Sequence, residues 1–203
     1  MNRIEETFKK LKAENKKAFI PYIMAGEPNL EKTMEHVMTL NECGADIIEL
    51  GVPFSDPLAD GPVIQRAAER ALKANVTIKK IIPFIKKLRQ HTQIPIVLMT
   101  YYNPVFRYGE EKFVKDSVTA GVDGVIIPDL PPEEAGDFIE LSRLYDLSTI
   151  FLVAPTSTRE RIKKIVSSCS GFVYYVSITG ITGSRLTLEE TFKKHIRTVT
   201  QLT

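Results

Sequence analysis

The sequence has 203 residues, 43 % hydrophobic and 26 % charged, and its 27 basic and 25 acidic side chains leave a net charge of +2. That balance supplies no general field for nucleic acid or for an acidic membrane, so neither is expected as a partner. No apolar run approaches a membrane span, no signal-like stretch follows the charged start, and two distant cysteines, Cys43 and Cys169, make no disulfide framework, which together predict a cytoplasmic chain.

Short apolar runs alternate with helical periodicity along the whole length. Ile4, Phe8 and Leu11 recur at helical spacing and predict an opening amphipathic helix. Phe19 to Met24 reads as a strand closed by Gly26 and Pro28, and Leu30, Met34, Val37 and Met38 form one face of a helix. Ala45 to Leu50 is the second strand, followed by the loop GVPFSDPLADG and by a helix that Pro62 suits as a first-turn residue. Ile78, Ile81, Ile82 and Ile85 mark a further helix in which Pro83 should cause a kink or mark the first turn. Ile94 to Met99, Val122 to Ile127, Thr149 to Val153 and Gly171 to Val176 complete the strands, with Tyr101, Tyr102 and Asn103 ending the third. Helices are expected around Phe113 to Val118, near Glu133 to Tyr145, after a capping box at Ser157 and Glu160, and after another at Thr187 and Glu190.

Six β-then-α units in succession, with strands apolar on both faces, predict an α/β fold built on a parallel sheet. No glycine fingerprint follows the first strand, and polar residues gather after several different strands. Both features favour a (β/α)8 TIM barrel over a doubly wound sheet. A barrel needs eight units, so residues 1–203 are read as a single barrel domain with two units missing at the C-terminus.

Glu49 lies inside an apolar strand. Period-2 alternation puts Ile47 and Glu49 on one face and Ile48 and Leu50 on the other, and no lysine or arginine occurs between Lys32 and Arg66. Burial without a partner should raise its pKa, which makes it a candidate general acid/base. Asp56 and Asp60 follow in a loop stiffened by proline and glycine, although turn aspartates also bond their own backbone. Asp129 at the end of the fourth strand and Tyr101 at the end of the third occupy the active-site level of a barrel. Tyr174 and Tyr175 should face opposite sides of the sixth strand, and the glycine loop from Thr179 to Ser184 could hold an anion through its amides. His36, His91 and His195 lack metal-ligand spacing, and no lysine ends a strand, which argues against a Schiff-base aldolase.

The run ELGVPFSDPLADGP at residues 49–62 resembles the signature of the tryptophan synthase alpha subunit family. FIPYIMAGEP at 19–28, YYNPVF at 101–106 and IPDLP at 127–131 agree with it. The resemblance implies a carbon–carbon lyase that cleaves indole-3-glycerol phosphate by a retro-aldol route, with Glu49 as acid/base and Asp60 on the indole N–H. It further implies an indole pocket of Tyr22, Ile64, Tyr101, Asp129 and Tyr174, and a closing loop with Thr182 and Gly183. Pro53, Phe54 and Asp56 would face a beta subunit in an α2β2 assembly. That subunit would carry pyridoxal phosphate, whereas the alpha chain would hold no cofactor and no metal. Tyr22 stands where some members have phenylalanine, and Ile178 where some have arginine. A non-catalytic activator of a beta-type subunit and another phosphate-binding barrel enzyme are the alternative readings.

Overall fold

The computed structural model describes residues 2–176 and 190–202. Helix α1 (Arg3–Ala13) is capped by the Asn2 side chain, which accepts from the Ile4 N–H at 2.9 Å. Glu5 and Glu6 in its first turn and Lys10 and Lys12 in its last complement the helix dipole. Strand β1 (Tyr22–Met24) leads to α2 (Leu30–Glu42), capped by Asn29, and then to β2 (Ile48–Gly51). Helix α3 (Pro62–Lys73) has Pro62 in its first turn, where the missing N–H costs nothing.

Helix α4 (Ile78–Leu88) buries Ile78, Ile81, Ile82, Phe84, Ile85 and Leu88. Pro83 lies in its middle, which overturns the first-turn placement. The residue is on the exposed side, so water can serve the carbonyl that loses a donor and the helix continues. Strand β3 (Ile96–Met99) is followed by a short helix that the periodicity did not resolve, α5 (Tyr102–Tyr108). Tyr102 and Asn103 therefore begin a helix instead of ending a strand, and Pro104 takes a first-turn position. Gly109, at φ 94°, turns the chain into α6 (Glu110–Ala120).

Then come β4 (Gly124–Ile126), α7 (Gly136–Leu144), β5 (Ser148–Ile150), β6 (Leu152–Val153), α8 (Arg159–Ser168), β7 (Tyr174–Tyr175) and α9 (Glu190–Leu202). The cap of α8 is one residue later than the predicted box. Thr158, with an extended backbone, accepts from the Arg161 N–H at 3.2 Å, while Ser157 Oγ accepts from the Ala154 N–H at 3.1 Å. The predicted box at Thr187 and Glu190 falls outside the described side chains.

β1 to β5 form one parallel sheet in chain order, and β6 pairs in parallel with β7. Only Phe151 separates β5 from β6, and its carbonyl accepts from the Tyr174 N–H at 3.0 Å. The run 148–153 is thus one strand that pairs with β4 at its start and with β7 at its end. On the inner face Ile47, Val97, Ile126 and Ile150 pack together, and Ile4 and Phe8 of α1 join them from below. Ile48, Leu50, Ile96, Leu98 and Val125 belong to the outer layer beneath the helices. Tyr174 faces inward and Tyr175 outward, as alternation requires.

The floor of the sheet is held by a buried charge. Asp123, immediately before β4, is 3 % exposed. Its carboxylate accepts from Arg3 at 2.8 Å, from Arg89 at 2.7 Å and from the Ile96 N–H at 2.8 Å. Arg89 also donates to the carbonyls of Gly121 and Ile94. Burial pulls its guanidinium down to about 10, against the Asp123 carboxylate, so it stays charged at neutral pH. This clamp fixes the N-terminal ends of the strands and leaves the opposite end for chemistry.

Candidate active site

Parallel register puts Tyr22 of β1 beside Glu49 of β2, and Glu49 beside Val97 of β3. All three share the inner face. Glu49 is 5 % exposed, and among the described residues no hydrogen bond or ion pair reaches its carboxyl. Burial alone pushes its pKa up to about 7, so at neutral pH it can give a proton or take one.

Two residues further along β2, on the same face, Gly51 leaves room for Tyr22. A Cβ at Gly51 would lie 2.1 Å from the Tyr22 hydroxyl oxygen and 2.6 Å from Cζ. The tyrosine ring therefore leans across β2 toward the loop that carries Asp60. Burial, then the carboxyls of Asp60 and Glu49, push the Tyr22 phenol far above its ordinary range, so it stays neutral and protonated. Burial also raises Tyr174, with the Glu49 carboxyl adding to the effect.

Asp60 is held by its backbone and by Tyr101. Its N–H donates to the Pro57 carbonyl at 3.1 Å, and its own carbonyl accepts from Gln65 Nε2 at 2.8 Å. The Tyr101 hydroxyl accepts from the Ala59 N–H at 2.9 Å and faces the Asp60 carboxyl. Burial raises the Asp60 pKa, and the hydrogen bond from Tyr101 opposes it. Burial likewise pushes Tyr101 up to about 12. The ring of Phe54 packs on that of Tyr101 with centroids 5.3 Å apart. Two carboxyls in different settings, with three phenols around them, can divide acid and base duties.

The structure brings Tyr22, Glu49, Asp60, Tyr101 and Tyr174 into one electrostatic neighbourhood at the inner face and mouth of the sheet. Ile64 is half-buried on α3 and packs against the outer core. Asp129 is exposed, and its Oδ1 accepts from the Tyr102 N–H at 2.9 Å, so it caps α5. Pro53 is buried, Phe54 half-buried and Asp56 exposed, with Ser55 Oγ donating to Asp56 at 2.5 Å. Thr182, Gly183 and Ile178 lie outside the described residues. His195 accepts at Nδ1 from the Tyr175 hydroxyl and donates from Nε2 to the Ser157 carbonyl, both at 3.0 Å, which is packing. Among the described residues no cluster of His, Cys, Asp or Glu could hold a metal, and no helix is long and apolar enough to cross a membrane.

Gly51, expected to shape the loop, instead ends β2 against Tyr22, and Gln65 was not foreseen. The alternation that placed Glu49 inward also places Gly51 inward, and that was the available signal. Gln65 had none, because its contact depends on how the loop folds back on α3.

A family profile described as "Tryptophan synthase alpha chain" matches residues 8–203. A tryptophan synthase alpha chain from Geotalea daltonii is 55 % identical over 190 residues, covering 94 % of this chain and 72 % of the relative. One from a Thermoanaerobacter species is 50 % identical over 203 residues, covering 100 % and 77 %. Among solved structures, tryptophan synthase subunit alpha from Legionella pneumophila superposes with a TM-score of 0.90 at 40 % identity, covering 98 % of this chain and 75 % of that one. A chain from a structure described as the tryptophan synthase α2β2 complex of Pyrococcus furiosus gives 0.84 at 41 %, covering 91 % and 74 %.

Proposed function

This chain belongs to the tryptophan synthase alpha chain family, lyases of tryptophan biosynthesis with a (β/α)8 barrel fold, and from that premise we propose that it cleaves indole-3-glycerol phosphate to indole and glyceraldehyde 3-phosphate. The observation that carries this reading is Glu49, buried and unpaired among the described residues, raised by burial to about 7, with Tyr22 facing both it and Asp60.

Glu49 delivers its proton to the ring carbon that bears the side chain. Positive charge then falls on the ring nitrogen, whose N–H bonds to the Asp60 carboxylate. The side-chain hydroxyl next to the ring gives up its proton, which can return to Glu49, and its carbon becomes a carbonyl. The carbon–carbon bond breaks, and its electrons return to the ring. A carboxyl with a pKa of about 7 suits both halves of this exchange. Tyr22, Ile64, Tyr101, Asp129 and Tyr174 would surround the indole, with Thr182 and Gly183 closing over the phosphate end.

The partner we propose is a tryptophan synthase beta subunit, holding pyridoxal phosphate and receiving indole. Pro53, Phe54 and Asp56 are the residues expected to face it. The loop around them exposes Leu58, and the nearby α5 exposes Phe106, apolar surface that suits burial in an assembly.

Replacing Glu49 by glutamine keeps the volume and removes the transferable proton. Indole release, assayed with the beta subunit present, should fall to background while the circular dichroism spectrum is unchanged. Release at the unsubstituted rate would refute the assignment.

A further inference from the structure

The Tyr22 hydroxyl has a place made for it and, among the described residues, no partner. It rests over Gly51, two residues beyond Glu49 on the same face of β2, in a space that any side chain at position 51 would fill. Among the described residues nothing hydrogen-bonds to it. Tyr101, by contrast, is occupied, since it meets the Ala59 N–H and the Asp60 carboxyl. Asp60 and Glu49 are the charged groups that face Tyr22, Tyr101 and Tyr174 are its neutral neighbours, and no described cation is among them. The phenol keeps its proton at any physiological pH, so what it offers is a donor.

A donor in a mostly buried pocket needs an acceptor, because leaving it unmade forfeits its hydration. In the complex proposed above, Asp60 accepts from the indole N–H and Glu49 holds the proton it will transfer. The indole ring brings no oxygen. The remaining acceptors are the glycerol and phosphate oxygens, and those of the glycerol chain lie nearer, since the chain starts from the ring carbon beside Glu49. We propose that the Tyr22 hydroxyl donates to a hydroxyl oxygen of that chain, and so makes the site select a hydroxylated side chain over a plain alkyl one. This rests on the lyase reading of the site.

The test uses the Glu49→Gln chain with its beta subunit, so that nothing turns over, and compares it with the same chain also carrying Tyr22→Phe. Calorimetry measures Kd for indole-3-glycerol phosphate and for indole-3-propanol phosphate, which lacks the chain hydroxyls. Phenylalanine keeps the ring, so only the hydroxyl is removed. Affinity for the glycerol ligand should weaken about three- to ten-fold, the worth of one neutral hydrogen bond, while that for the propanol ligand holds. Equal losses for both ligands, or no loss for the glycerol ligand, would overturn the donor role while leaving the lyase reading intact. If neither ligand binds even with Tyr22 in place, the lyase reading fails and the donor role with it.

Discussion

Glu49→Gln should make the protein more stable at alkaline pH while destroying its proposed activity. The glutamate has an ordinary pKa of 4.5 in the unfolded chain and about 7 in the folded one. The folded state therefore holds the proton more tightly. Stability is greatest below the unfolded value, declines as pH rises from 4.5 toward 7, and levels off above. At ~1.4 kcal/mol per pH unit the full span is worth roughly 3 kcal/mol, of which about 2 falls between pH ~5.5 and ~8.5. Glutamine does not ionise and escapes this loss. Other titrating groups are common to both proteins, so they cancel in the difference. Urea denaturation of both proteins at the two pH values should show the stability difference shifting by about 2 kcal/mol in favour of the variant at the higher pH. A difference that stays constant across pH would refute burial as the cause of the raised pKa, and with it the argument that Glu49 is poised for proton transfer.

The floor of the barrel should respond in the opposite manner, through structure alone. Arg89→Met leaves Asp123 buried with Arg3 as its remaining cation, and should cost about 3–5 kcal/mol in urea denaturation. Indole release per folded molecule should hold, since the change lies at the end remote from Glu49; a loss of release there would contradict the division of the two ends. Asp129→Ala removes the carboxylate that caps α5 and should lower stability by about 1 kcal/mol. A thermal midpoint equal to that of the parent would show that the Tyr102 N–H finds another acceptor.

Much of the fold could be read from the chain because its signals are local. Apolar runs such as Ile94 to Met99 located the strands, and the alternation around Glu49 put Ile47 inside and Ile48 outside, as the two packed layers show. The start of α5 was missed because Tyr101 to Pro104 reads equally as a strand end, and its cap comes from Asp129, 27 residues away. Ser157 and Thr158 are both good caps, and only the backbone decides between them. At the site, Glu49 stood out as a lone charge in an apolar strand. The fit of Tyr22 over Gly51 did not, because it depends on the register between two strands. Asp123 offered a similar clue, a carboxylate before an apolar run, but its partners Arg3 and Arg89 are distant in sequence.

Strand order in this sheet is also an order in time. Each strand pairs with the one made before it, after an excursion of one or two helices, so a chain leaving the ribosome can seat β1 to β5 in the sequence in which they emerge. The first helix cannot follow that schedule. Asn2 and Arg3 bond to Asp123, separated from it by 121 and 120 residues, and Ile4 packs among side chains from β3, β4 and β5. The earliest part of the chain to be synthesised therefore waits until at least four strands exist before it can dock. Closure of the floor becomes a late event, and the nascent chain must keep Ile4 and Phe8 out of other contacts until the surface that receives them has been built.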